Sequence, residues 1–369
     1  DGVIRVMRMK VVIASARYRP SLGGVETHAR EVATRLSHHF DVVVVTSNPG
    51  GKLPATEVLD DVPIRRVTTW PSGGDPFIPW SWSRTLREVR PDVVVIDGYQ
   101  SVISARALVY ATRHQIPTIV VFHEGANPNP LRQALYPMQR RILGRWFRRA
   151  RYTVATAPHE MDAYQHELQL TTLMYIPNGA DLPSVAHPPT QQPWKIVSLG
   201  RLERQKRHHL VIEALAELRT DGRPWSLSII GLGEERESLL DLAAQCGVAD
   251  IVTVTAFDSS DREAMTAELL SARLVIAPST YETHPMAVVE AALLGCHVVV
   301  PREGNPGVVG LADRGIAEAI TTESSSELAR ELRAAVQREF RANRNELSSW
   351  DDCANQFRRL IDDIGAGRV

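Results

Sequence analysis

The stretch YETHPMAVVEAALLGCHVVV, residues 281–300, carries two carboxylates eight positions apart, Glu282 and Glu290. From Pro285 to Cys296 every residue except Glu290 is apolar or small. A helix that is apolar all round is a buried helix. A carboxylate on such a helix is destabilising unless donors or an opposing charge meet it. The expectation is that Glu290 finds its partners in the hydroxyls of a bound ligand. Pro285 suits a first helical turn. That leaves the amides of Met286 and Ala287 facing outward as an anion site. Glu282, just ahead, repels an anion, so its chemistry is the binding of hydroxyls. Phosphate combined with several hydroxyls is what a nucleotide sugar presents.

Other segments offer matching chemistry. In SLGRLERQKRHHL, 198–210, Arg201 and Lys206 lie five apart in a turn ahead of a helix. A guanidinium and an ammonium there can grip a diphosphate, the first bidentately and the second as a point charge. The plain alternative is a solvated basic turn. In SLGGVETHA, 21–29, Gly23 and Gly24 open a helix. They serve either a close phosphate or sugar contact or a tight strand-to-helix turn. In IIGLGEERE, 229–237, Gly231 and Gly233 match two glycines of a dinucleotide fingerprint, but Arg236 stands in the third position. A helix cannot approach the sheet closely there. The expectation for Gly231 is a turn that lines a nucleotide site. His123 ends an apolar run and precedes a loop of Gly, Asn and Pro, a place where a side chain tends to face a cleft. Its neighbour Glu124 points to the other face. RRILGRWFRRARY, 140–152, interleaves arginines with Ile142, Leu143, Trp146 and Phe147. It is an amphipathic helix with a basic solvent face, or a helix that lies on a membrane surface.

The elements that must position these residues are legible as alternation. Apolar runs recur at 10–15, 41–47, 64–70, 92–97, 118–123, 152–157 and 173–176, then at 195–199, 226–230, 251–255, 274–277, 297–300 and 316–320. They are rich in Val and Ile and lack period-two alternation, the pattern of parallel strands buried on both faces. Helix-length segments separate them, which predicts doubly wound α/β sheets. PNGADLPSVAHPPTQQPW, 177–194, concentrates Pro, Gly, Gln and Ser and reads as a linker. Two domains are expected, 1–183 and 184–349, with ligands at the carboxyl ends of their strands around a shared cleft. SSWDDCANQFRRLIDDI closes the chain with Trp350, Cys353, Phe357, Leu360 and Ile361 on one helical face; this helix, 350–365, is expected to pack back on the first domain.

Composition excludes several classes. With 369 residues, 44% apolar and 23% charged, the chain is an ordinary globular protein. A net charge of −1 argues against a nucleic-acid partner. Cys246, Cys296 and Cys353 lack metal-ligand spacing and suggest reduced thiols and a cytoplasmic setting. The apolar runs are too short to span a bilayer, and DGVIRVMRMK shows no signal-peptide pattern.

Taken in order, GGVETHAREVATRLS, VVFHEG, IPNGADL, VSLGRLERQKRHHLVIEAL, IIGLGEERESL and ARLVIAPSTYETHPMAVVEAALLGCHVVV resemble the retaining glycosyltransferases of family 4 over nearly the whole chain. The resemblance implies the GT-B fold, with an acceptor-binding first domain, a nucleotide-sugar-binding second domain and a terminal tryptophan helix that crosses back to the first. It implies that Glu282 contacts the transferred sugar and Glu290 the ribose. Arg201 and Lys206 hold the diphosphate, Gly23 and Gly24 lie beneath the donor phosphates and acceptor, His123 is near the donor sugar, and Phe257 borders the base. It implies no bound metal and no cofactor besides the donor, with UDP the expected carrier from its frequency in the family. His284–Pro285 replaces the aromatic-Gly that often follows the first glutamate, and REGNPGVVG, 302–310, lacks a glutamate found in many relatives. Both departures bear on sugar choice. The expected reaction is transfer to a hydroxyl acceptor with retention at the anomeric carbon. A nucleotide-sugar epimerase is the competing enzyme class, a binding-only protein the competing non-enzyme.

Overall fold

The computed structural model describes residues 8–21, 23–71, 78–79, 81–123, 130–257, 261–282 and 285–367. Two compact units divide the chain: 1–179 together with 349–369, and 180–348.

The first unit runs β1 (Lys10–Ser15), α1 (Gly24–Ser37), β2 (Asp41–Pro49), β3 (Thr56–Leu59), β4 (Val62–Trp70), β5 (Ile78–Pro79), α2 (Trp82–Val89), β6 (Val93–Asp97), α3 (Val102–Arg113), β7 (Thr118–Phe122), α4 (Pro130–Phe147), β8 (Tyr152–Ala155), α5 (Pro158–Leu168) and β9 (Leu173–Tyr175). Its sheet is ordered β3-β4-β2-β1-β6-β7-β8-β9, with β5 beside β4. The pairings from β4 through β9 are parallel. Every residue of β6 and β7 is buried, as the unbroken Val and Ile runs predict. The sequence reading overlooks β3 and β5, which pair antiparallel with β4. The β3–β4 hairpin turns at Asp60 and Asp61, both with positive φ (50° and 60°). Two such residues make the mirror-image turn that matches strand twist. No glycine announces it, and TEVL is too short for its alternation to stand out.

The second unit runs β10 (Gln192–Leu199), α6 (His208–Arg219), β11 (Ser226–Ile230), α7 (Arg236–Gln245), β12 (Val252–Thr255), α8 (Arg262–Ser271), β13 (Ala272–Ile276), α9 (Met286–Leu293), β14 (Val298–Pro301), α10 (Pro306–Asp313), β15 (Glu318–Ile320) and α11 (Ser325–Ala335). Its parallel sheet is ordered β12-β11-β10-β13-β14-β15. Alternate residues of the same strands feed two cores. Ile196, Ile229 and Leu274 pack on one face, and Val197, Ile230 and Val275 on the other.

Both sheets grow in opposite directions from their first strand, with switch points between β1 and β6 and between β10 and β13. In open α/β sheets ligands bind beyond the carboxyl ends of the strands at such points. The loops that leave β1, β6, β10 and β13 carry most of the chemically interesting residues.

The last helix, α12 (Trp350–Gly365), belongs to the first unit and packs on α1. A capping box opens it: the Asp352 amide donates to Ser349 Oγ and the Ser349 amide to Asp352 Oδ2, each at 3.1 Å. Its buried face is Trp350, Cys353, Ala354, Phe357, Leu360 and Ile361, the expected residues with Ala354 added. The backbone of Trp350 presses on Gly179, where a Cβ would lie 2.4 Å from both Trp350 N and Cα. No side chain can move to relieve that contact. We expect Gly179→Ala to lower the denaturant midpoint by the equivalent of about 1–3 kcal/mol; an unchanged midpoint would contradict this packing.

Candidate active site

In the first unit, β6 ends on Asp97 and β7 is followed by His123. The parallel register, Asp97 opposite Val121, brings the two strand ends together. His123 Nε2 lies 2.7 Å from Asp97 Oδ1, and His28 Nδ1, from α1, lies 2.9 Å from the same oxygen. All three side chains are buried. The imidazoles meet edge to face at 4.8 Å, and His28 also abuts Trp350 and Phe357 of α12. Gln100 Nε2 donates to the His123 carbonyl. His123 is therefore neither lone nor open, as the sequence suggests, but one arm of a buried His–Asp–His cluster. Burial pushes the Asp97 carboxyl up. The charges and hydrogen bonds of His28 and His123 outweigh it and hold the group well below the usual carboxylate range. Among the described residues these three form a group compact enough to hold a metal ion. Of the two rings, His123 hydrogen-bonds Asp97 Oδ1 and is oriented by it, whereas neither nitrogen of His28 nor Asp97 Oδ2 makes a well-aligned hydrogen bond among the described residues.

Gly23 is the N-cap of α1 and Gly24 its first residue. The anion site expected there already faces a protein carboxylate. Glu26 is buried, and its Oε2 would lie 2.3 Å from a Cβ at Gly23. A carboxylate in the first turn suits the helix dipole, and it also opposes a phosphate at that end. Nothing lies within 4 Å of a Cβ at Gly24.

In the second unit the two loops at the switch point meet through an ion pair. Lys206, in the 3-10 turn Arg204–Lys206 after β10, places Nζ 2.5 Å from Oε1 of Glu282, which follows β13. Both side chains are largely buried. The resemblance assigns one to a diphosphate and the other to a sugar; in the structure they hold each other. Arg201 does not join them. Its side chain is 66% exposed and pairs with Glu203, so the plain reading of a solvated basic residue fits its resting position. Asn305, at the start of α10, clamps Glu282 from both sides of the backbone: its Oδ1 accepts from the Glu282 amide at 3.0 Å and its Nδ2 donates to the Glu282 carbonyl at 2.7 Å. The segment REGNPGVVG thus supplies a brace for the first glutamate.

Glu290 is buried on α9, as expected, but it is not waiting for a ligand to supply its first partner. Arg262 Nη2, on α8, lies 2.7 Å from Glu290 Oε1 and also donates to the Asp181 carbonyl at 2.6 Å. Met286 and Ala287 begin α9 and Pro285 is its N-cap, one position ahead of the first turn foreseen. His284 lies outside the described residues. Gly231, expected in a turn that lines a nucleotide site, also has a packing reason. A Cβ there would sit 1.9 Å from the Gly200 carbonyl oxygen, and one at Gly233 2.3 Å from that of Leu202. The glycines let the loop after β11 lie against the loop that carries Arg201. Phe257 is partly buried against the core formed by β13, α9 and β14.

A residue the sequence reading overlooked supports the Lys206 turn. His208 opens α6, is buried, and shares a hydrogen bond with Ser198 Oγ through Nδ1 at 2.8 Å.

The family model described as Glycosyltransferase Family 4 matches residues 22–183, and that described as Glycosyl transferases group 1 matches 184–349. Glycogen synthase of Mycobacterium tuberculosis (strain H37Rv) is 26% identical over 92% of this chain and 91% of its own. The GDP-mannose-dependent alpha-(1-6)-phosphatidylinositol dimannoside mannosyltransferase of M. tuberculosis (strain H37Ra) is 25% identical over 94% of each chain. Among solved structures, sucrose-phosphate synthase from Thermosynechococcus elongatus superposes with a TM-score of 0.72 at 17% identity, covering 98% of this chain and 100% of that one. HepE of Anabaena in complex with UDP and glucose gives 0.65 at 17%, covering 97% and 99%. The matched models and the fold define a glycosyltransferase of the GT-B class. The chain belongs to glycosyltransferase family 4.

Burial pushes His208 from its ordinary 6.5 down to about 4. Below pH 6.5 the unfolded chain takes up a proton that the folded chain refuses until about pH 4, so stability falls across that window as pH falls. We expect roughly 3 kcal/mol of acid-side loss from this group. Denaturation of the wild type and His208→Asn at both ends of the window checks it; parallel pH profiles would contradict it.

Proposed function

We propose that this glycosyltransferase moves a hexose from a nucleoside diphosphate sugar to a hydroxyl acceptor with retention at the anomeric carbon, and that the second unit holds the donor. The observation that carries the proposal is the Lys206–Glu282 pair at the β10/β13 switch point. A cation and a carboxylate that neutralise each other at a strand-end crevice can be separated by a ligand with both a diphosphate and hydroxyls. Lys206 passes to the diphosphate and Glu282 to the sugar hydroxyls. The first amides of α9, at Met286 and Ala287, face the same charge. Glu290 accepts from ribose hydroxyls alongside Arg262, and Arg201 swings from Glu203 to the phosphates. These groups stabilise the diphosphate as its bond to the anomeric carbon breaks. The departing phosphate oxygen takes the acceptor's proton on the same face, and no bound metal is required. The first unit receives the acceptor, and His123, oriented by Asp97, takes the role beside the sugar that the resemblance gives it. Phe257 borders the base. UDP is the carrier expected from the family's habits. One relative is a GDP-mannose-dependent mannosyltransferase, which makes the GDP form the necessary comparison.

The test is release of nucleoside diphosphate from UDP-hexoses and GDP-mannose, with the product's anomeric coupling read by NMR. Lys206→Ala and Glu282→Ala are each expected to lower kcat/KM at least about 100-fold, the scale of losing one transition-state charge contact. Near-normal turnover in either variant, or an inverted product, would sink the assignment.

A further inference from the structure

The exposed face of α4 goes unused by the chemistry above. Leu135, Met138 and Ile142 are among the exposed large apolar side chains of the protein, at 51%, 55% and 57%. Arg141 and Arg145 are exposed beside them. At 3.6 residues per turn these five positions fall within an arc of about 120°. The opposite face is spoken for: Leu143 and Phe147 are buried in the core with Phe122 and Tyr164, and Arg140 pairs with Glu167. The apolar stripe is thus surplus to the fold.

The charge carried by the segment itself has one sign. Residues 125–159 contain seven arginines and no Asp or Glu, in a chain whose net charge is −1. The Arg145 guanidinium lies over the Trp146 ring, 3.7 Å from its centroid, and this apolar platform carries a cation at its surface. No described helix is long and apolar enough to cross a membrane. A helix with apolar side chains in one exposed stripe and arginines interleaved along it suits a surface that is apolar beneath and anionic on top.

We propose that α4 docks the first unit onto an anionic lipid bilayer. The helix lies in the plane of the interface, with Leu135, Met138 and Ile142 inserted between headgroups and Arg141 and Arg145 on lipid phosphates. The proposal is independent of the donor site. Charge complementarity selects this occupant: a second copy of the chain would place arginine stripe against arginine stripe.

Co-flotation with vesicles of phosphatidylcholine alone, and of phosphatidylcholine mixed with phosphatidylglycerol, tests it. The wild type is expected to float with the mixed vesicles and not with the neutral ones. The Leu135→Ser/Met138→Ser/Ile142→Ser variant is expected to lose binding at least about tenfold while keeping its thermal midpoint. Arg141→Gln/Arg145→Gln is expected to lose binding similarly and to flatten its salt dependence. Failure of the wild type to bind mixed vesicles overturns the proposal. So does undiminished binding by the triple serine variant, or a solution dimer of the wild type that this variant dissolves.

Discussion

The ion pair between Lys206 and Glu282 is the constraint on which the chemistry proposed for the second unit depends. Its partners come from loops that leave β10 and β13, adjacent strands that run parallel because one helix-containing crossover after another returns the chain to the same end of the sheet. Their side chains are largely removed from water, so neither charge is tolerable without the other. The pair therefore sets the resting geometry of both loops. Asn305 and His208 hold the two ends: the former grips the backbone of Glu282, and the latter anchors the start of α6 just past Lys206. A ligand can part the pair only by satisfying both members at once. The donor proposed above, with a diphosphate and hydroxyls a few bonds apart, meets that requirement.

The first unit solves a similar problem differently. Asp97 is buried at the end of β6 with two imidazoles on one oxygen. One ring belongs to the strand-end loop after β7 and the other to α1, where it also touches α12. The terminal helix thus reaches the strand ends through His28. Gly179 receives the backbone of Trp350 with no room for a side chain.

Much of this was legible in the sequence, and the rest was hidden for specific reasons. Parallel strands announced themselves as Val and Ile runs because both faces are buried. The amphipathic face of α12 was readable to within one residue. Glu282, Glu290, Lys206 and His123 stood out as charged or titratable residues in apolar or strand-end contexts, and each lies at the carboxyl end of a strand or on the helix that follows. Their partners did not stand out. His28 sits inside an ordinary helical pattern, and Arg262 is 28 positions from Glu290 on another helix. Asp97 could have been found: it ends the strand candidate next to the one that precedes His123, and parallel neighbours bring such ends together. Gly231 and Gly23 are ambiguous in the sequence because a glycine is needed equally for close backbone packing and for a ligand, and the structure adds the packing reason.

The central claim is that Glu282 competes with a nucleoside diphosphate for Lys206. Calorimetric titration of UDP and GDP into the wild type and Glu282→Gln tests it most directly. The account predicts that removing this carboxylate's charge tightens binding of the bare diphosphate, because Lys206 is released and a repelling charge is lost, while sugar transfer collapses. Weaker or unchanged diphosphate binding in Glu282→Gln would contradict it.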